Sequence, residues 1–218
     1  KIAENQYRAN IPASQVSARG IEYYIEASDG INKSFANINA QRGGKITVRE
    51  YHNIGSEYIS NLKNSSKFNS PTLNKNGTPD FESEAYSFEW PAGPDPVNNP
   101  KARPRSDVKD RYGWQLLGYL LPPETGDYRF FLASDDNSEL YLSTDHSPAN
   151  AVKIAAESSW RGVRSYSANM SDESVSKSVS LVAGRRYFIE AFAKEGGGGD
   201  NLAVAWQLPG GDVPRYGA

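Results

Sequence analysis

Cysteine is absent from the 218 residues, which excludes disulfides and thiolate metal sites. Histidine occurs only twice, at His52 and His146. That is thin material for a zinc-hydrolase cluster or a Ser-His-Asp triad. No apolar run approaches the ~20 residues that cross a bilayer as a helix, so membrane insertion is not expected. The net charge of −2 carries no nucleic-acid footprint. The glycine run at 196–199 is not followed by Gly-Lys-Ser/Thr and is therefore not a phosphate loop. Aromatic residues, by contrast, are plentiful, with 13 Tyr and 4 Trp. Strands favour that bias, and so do sugar-binding faces.

Short alternating segments with Gly/Pro turns run along most of the chain. Gly20–Ala27 sets Ile21, Tyr23, Ile25 and Ala27 against Glu22, Tyr24 and Glu26, a half-buried strand ending at Ser28-Asp29-Gly30. Segments 7–11 and 34–38 are its candidate partners. Three short strands make a poor independent core. Residues 1–43 therefore read as the last strands of an immunoglobulin-like domain that lean on a neighbouring domain or chain. The opening Lys1-Ile2-Ala3 has the look of mid-strand, as in a piece excised from a longer protein.

Gln41-Arg42-Gly43-Gly44 marks a boundary, so residues 44–218 are expected to form the main domain. Lys45–Tyr51 begins a strand, and Ile54, Tyr58, Ile59 and Leu62 are spaced for one face of a short helix. Residues 64–110 read as a long surface crossover, with proline-rich Trp90–Pro96 unsuited to helix or central strand. Strands are expected over 114–121, 127–132, 139–143, 178–182, 185–192 and 202–206. This pattern predicts an all-β antiparallel sandwich, of jelly-roll or Greek-key type, with a short helix and long loops. Trp114 and Trp206 alternate with polar or small residues and are expected in the core.

Two loops concentrate oxygen. Ala133-Ser134-Asp135-Asp136-Asn137-Ser138-Glu139 offers paired carboxylates, and Lys194-Glu195-Gly196-Gly197-Gly198-Gly199-Asp200-Asn201 offers bare backbone with an acid at its end. Calcium takes 6–8 oxygen ligands, mixing carboxylates with carbonyls. Adjacent aspartates on a regular strand point to opposite faces, so convergence on one ion needs irregular backbone. Glycines let the second loop approach with carbonyls inward. This reading nominates Asp135, Asp136 and Asp200 as carboxylate ligands, Gly197 and Gly199 as carbonyl donors, and Asn201 as a sugar contact or loop brace. By residue chemistry alone Asp135-Asp136-Asn137 better fits an ordinary hairpin tip, since Asp and Asn favour turns, and the alternative for the glycine run is a flexible loop, for which a run bounded by two strands is short.

Four stretches taken together, Lys45–Tyr51, Gly118–Phe130, Ala133–Ser143 and Ala183–Trp206, resemble the domain named after the anthrax toxin protective antigen, over roughly residues 44–212. The resemblance implies a sugar-binding β-sandwich. Its sugar-binding members hold calcium with two consecutive aspartates joined by a cis peptide, matched here by Asp135 and Asp136. A second loop, here Gly196–Asn201, adds carbonyl oxygens and a polar side chain, and sugar hydroxyls complete the shell. His52 stands where many bacterial members have Trp, and the stretch 161–177 is atypical.

The expectation that follows is a calcium-dependent carbohydrate-binding module of a secreted or cell-surface protein, probing a glycan through Asp135, Asp136, Asn201 and the loop residue Trp160. No catalytic residues are assigned: a glycosidase needs two carboxylates about 5–9.5 Å apart in a cleft, and no further constellation supports one. The competing expectation is a structural spacer or fibre subunit, with the strands of residues 1–43 completing a neighbour's sheet.

Overall fold

The computed structural model describes residues 46–68, 77–91 and 109–214, together with the backbone of two strands at 25–28 and 33–36. The chain divides into two units, Lys1–Gly43 and Gly44–Ala218. In the first, β1 (Ile25–Ser28) and β2 (Lys33–Ala36) pair antiparallel, with Ile25 opposite Ala36 and Ser28 opposite Lys33. The immunoglobulin-like origin and docking role expected of this unit, and its strand at 7–11, lie outside the described residues.

The second unit is a two-sheet antiparallel sandwich. Its strands are β3 (Ile46–Tyr51), β4 (Phe81–Ala85), β5 (Glu89–Trp90), β6 (Tyr112–Leu120), β7 (Gly126–Asp135), β8 (Ser138–Ser143), β9 (Ala151–Glu157), β10 (Val179–Leu181), β11 (Tyr187–Glu195) and β12 (Asn201–Gln207). One sheet has the order β4-β3-β6-β11-β8-β9 and the other β10-β7-β12-β5. The inward sets alternate as strand geometry requires. Val48, Leu116, Leu140 and Ile189 of the larger sheet meet Tyr128, Phe130, Leu132 and Leu202 of the smaller one in a single core. Trp114 is fully buried there, and Trp206 packs on Tyr128 at 5.2 Å between ring centroids.

The stretch 64–110, read from sequence as crossover, contains β4 and β5 within its described part. β4 escapes a periodicity search because it is an acidic edge strand, Phe81-Glu82-Ser83-Glu84-Ala85, paired only to β3; charge on an edge discourages stray pairing. β5 has two residues and stops directly before Pro91. The expected helix is α1 (Ile59–Asn64), six residues long. Ile59 and Leu62 pack with Tyr51, Ile54 and Phe192 on the outer face of the larger sheet. Tyr58, expected on the same apolar face, is the N-cap and is 54% exposed. The helix lies close because Gly113 has no side chain: a methyl group there would come within 2.8 Å of Leu62 Cδ2.

This sandwich has two distinguishable ends. β7 finishes, β8 starts, β11 finishes and β12 starts at one end, as the pairings Asn201 with Asp135, Ser138 with Ala193 and Glu195 with Tyr112 show. Ile46, where β3 begins, and Gln207, where β12 ends, lie at the other.

Leu132 is fully buried, whereas Val152 on β9 is 57% exposed. Leu132→Ala is expected to lower unfolding free energy by about 2–5 kcal/mol, and Val152→Ala by no more than about 0.5 kcal/mol. Urea denaturation of both variants checks this, and equal losses would contradict the core assignment.

Candidate metal centre

The two oxygen-rich loops meet at the end of the sandwich where β7 and β11 finish. β7 carries Asp135 to its last position, and only Asp136 and Asn137 separate it from β8. The Ser134 hydroxyl donates to the Asp136 carbonyl at 2.7 Å and lies 2.6 Å from Ser138 Oγ, which closes this turn from inside. The Asp135–Asp136 peptide is cis. On the neighbouring strand, the inward series Tyr187, Ile189, Ala191, Ala193 ends in Glu195, a carboxylate where the pattern otherwise places apolar side chains.

Oxygens of Asp135, Asp136 and Glu195 all lie within 4.8 Å of one another. Glu195 is fully buried, and neither of its carboxylate oxygens has a hydrogen-bond partner. Burial, followed by the charges of Asp136, Asp135 and Asp200, pushes Glu195 up to about 8. The Gly197 amide opposes that rise weakly and makes no well-formed hydrogen bond to it. Burial and then the Asp136 charge push Asp135 up to about 6. Three crowded carboxylates, one fully buried and two half-buried, are stable only with protons or a cation among them.

The glycine loop wraps this cluster. Gly196 N–H donates to Asp136 Oδ2 at 3.0 Å, and Gly198 N–H donates to Asp110 Oδ1 at 3.2 Å. Gly198 has φ +114°, a conformation open to glycine. Gly199 lies directly under the cluster, where a methyl group would stand 2.6 Å from Asp135 Oδ2. Gly197 lies against Asp110, 3.9 Å by the same measure. Asn201 sits opposite Asp135 on the β7–β12 ladder; its Nδ2 donates to the Arg161 carbonyl at 3.1 Å, and its Oδ1 is buried without a partner.

Asp200 does not join the converging trio. It is fully buried, and its Oδ2 accepts from Tyr112 OH at 2.8 Å and from Lys109 N–H at 3.0 Å. The third carboxylate of the group is Glu195, which the loop chemistry alone did not single out. The strand expected over 185–192 stopped short of it, and β11 carries the inward register on to Glu195.

Beside the cluster, Arg161 N–H donates to the Ser134 carbonyl at 2.7 Å. The preceding residue, Trp160, is 67% exposed and so stands as a free aromatic next to a backbone tied to the site. The segment is anchored by side chains too. The Arg161 guanidinium binds Glu157 and Asp172, and Arg164 forms a bidentate pair with Glu89 at 2.5 and 2.9 Å.

The donor set fits a hard cation. It consists of oxygens, with carboxylates from two loops and an orphaned carboxamide oxygen on the adjoining rung, a composition that suits calcium and not the softer metals. The sequence around it matches a known family: a model of the PA14 domain aligns with residues 101–215. The chain belongs to the PA14 domain family. Among relatives of this PA14 domain is the mouse N-acetyl-beta-glucosaminyl-glycoprotein 4-beta-N-acetylgalactosaminyltransferase 1, 40% identical over 106 residues, which cover 45% of the chain and 10% of the relative. Mouse fibrocystin-L is 29% identical over 87 residues, 40% of the chain and 2% of the relative. The chain thus spans a tenth or less of the length of these relatives. Among solved structures, the PA14 sugar-binding domain from an RTX adhesin superposes with TM-score 0.49 at 11% identity, over 78% of this chain and 92% of that one. The epithelial adhesin 9 A domain of Candida glabrata, in complex with Galb1-4GlcNAc, gives TM-score 0.48 at 16% identity, over 79% and 85%.

Two outcomes are expected of the PA14 domain as it stands. In metal-stripped buffer at neutral pH, Glu195→Gln should raise the melting temperature, because it removes one of three repelling carboxyls; a lower value would mean that the cluster is not electrostatically frustrated. The second concerns the Trp160 segment. Burial alone would raise Asp172, but bonds from Ser174 and the charge of Arg161 outweigh it and hold Asp172 at about 2. An unfolded aspartate titrates near ~3.9, so this contribution is complete above that pH and is lost as pH falls towards 2. Asp172→Asn should flatten that part of the stability–pH curve, measured by urea unfolding between those limits.

Proposed function

We propose that the unit Gly44–Ala218 is a calcium-dependent carbohydrate-binding module of a secreted or cell-surface protein. The observation that carries this reading is the buried, unpartnered Glu195 carboxylate facing Asp135 and Asp136. Asp135, Asp136 and Glu195 would hold the ion, with Asn201 Oδ1 and carbonyls of the glycine loop as further oxygen donors. Calcium bound there supplies coordination positions that vicinal sugar hydroxyls can fill. Trp160 offers an aromatic face to the apolar side of a sugar ring, the usual division of labour between an apolar platform and a few oriented polar groups. Membership of the PA14 family supports a glycan as ligand, and the mouse relative is by name a transferase acting on a glycoprotein.

Placement agrees with this role. Ile46, where β3 begins, and Gln207, where β12 ends, lie at the end of the sandwich opposite the carboxylate cluster, which leaves the cluster's own end to its loops. A spacer without a ligand would leave the repulsion among the three acids without purpose. The reading assigns no catalytic residue, since the converging acids are committed to the cation.

Calcium at about 100 times its Kd should stabilise the domain by about 2.7 kcal/mol, seen as a raised melting temperature that chelation reverses. Binding on a glycan array should vanish with chelator. Asp135→Ala should abolish both effects, while Trp160→Ala should keep the calcium shift and lose glycan retention. A wild-type domain indifferent to calcium, or Asp135→Ala behaving as wild type, would overturn the proposal.

A further inference from the structure

Glu195 is not the sole acid in an inward strand register. On β3 the inward series Ile46, Val48 ends in Glu50, which is 6% exposed. Glu50 pairs across the ladder with Trp114, one inward position from the rung that joins Tyr112 to Glu195. It does not touch the three-carboxylate cluster. Its Oε2 accepts from Lys109 Nζ at 2.8 Å and lies 2.7 Å from His52 Nε2, and its Oε1 accepts from Trp90 Nε1 at 3.0 Å. Burial by itself would raise the pKa of Glu50, and the bonds from Lys109 and His52 more than offset it. Glu50 is thereby kept as an anion with a full set of partners.

Lys109 turns this anchor towards the glycine loop. Its backbone N–H donates to Asp200 Oδ2, and the next side chain, Asp110, accepts from Gly198 N–H. Two consecutive residues therefore grip the loop at Gly198 and at Asp200, on either side of Gly199, the position that lies under Asp135. Tyr112 OH reinforces the same Asp200 oxygen. The opposite flank is gripped as well, since Lys194 Nζ donates to the Ser56 carbonyl at 2.5 Å and to the Glu195 carbonyl at 2.6 Å. Among the described residues, three of the four non-glycine residues with positive φ, Asn53, Ser56 and Arg111, lie in these two gripping segments. Such conformations persist where surrounding contacts over-determine them.

We propose that Glu50 is a positioning residue for the cation site: by anchoring Lys109 it holds the Lys109 amide and the Asp110 carboxylate against the glycine loop at Asp200 and Gly198, so that the loop has its ligand-ready shape before a cation arrives. The inference rests on the calcium reading above and adds to it a site of control that contacts neither ion nor sugar. Its physical basis is preorganisation, since the chain of hydrogen bonds from Glu50 through Lys109 to the loop spares the ion the ordering of a four-glycine loop, the segment type with most backbone freedom to lose.

The test uses Glu50→Gln, which keeps the side-chain shape, and Lys109→Met, which removes the same contact from its 38%-exposed partner. Calcium affinity is measured by titration calorimetry, and amide hydrogen exchange at Gly198 and Lys109 is followed in metal-stripped protein. Outer-shell substitutions commonly weaken metal binding about 10–100-fold, and that range is expected for both variants, with faster exchange at Gly198 in the absence of any metal. A purely structural role would lower the melting temperature and leave calcium affinity and Gly198 exchange at wild-type values, which would overturn the inference. Should Glu50→Gln fail to fold, Lys109→Met decides alone. Wild-type protein that binds no calcium would remove the calcium reading and this inference together. Wild type that binds, with variants that bind equally well, would remove only the role of Glu50.

Discussion

The mutual repulsion of Asp135, Asp136 and Glu195 is the constraint around which this end of the sandwich is organised. A folded domain does not gather three carboxyls within 4.8 Å, one of them fully buried, without an opposing gain. Lys194, the nearest buried ammonium, directs its protons to the carbonyls of Ser56 and Glu195 and leaves the Glu195 carboxylate unpartnered. In the proposed reading that carboxylate is left for a cation.

Everything adjacent to the cluster works to keep its geometry under that repulsion. The Ser134–Ser138 hydroxyl pair closes the aspartate turn, and Asp136 caps the Gly196 amide. Asp110 and Asp200 tie the glycine loop to the segment before β6, and Arg161 ties the Trp160 segment back to Ser134 and Asn201. The acids of this region thus divide into two sets. Asp110, Asp200 and Glu50 are spent on N–H groups, a hydroxyl and an ammonium, while Asp135, Asp136 and Glu195 face one another, Asp136 also accepting from Gly196 N–H. The same side chain serves shape or charge according to whether a donor is within reach.

Much of the fold was readable along the chain. Alternation of apolar residues located β6, β7, β8, β11 and β12, and the glycine pair at 43–44 coincides with the division between the two units. β4 and β5 were not readable, because an acidic edge strand and a two-residue strand carry no periodic signal; they exist only because β3 and β12 offer them an edge. The helix appeared where expected but shorter, since the packing of Ile59 and Leu62 on Tyr51 and Phe192, not intrinsic propensity, decides its extent.

For the site, sequence by itself determined the chemical types at two strand ends: a pair of adjacent aspartates, and a glycine run closed by Asp200 and Asn201. Local composition suffices for that, because hard-cation chemistry needs oxygens and close backbone approach. Which acids converge was decided by the tertiary structure alone. Glu195 enters the cluster because β11 places every second side chain inward and finishes at the same end of the sandwich as β7, whereas Asp200 is turned to Tyr112 and Lys109. The reason is register: a carboxylate's role follows from the face its strand presents and the donors it meets there, and neither is written in the residues around it.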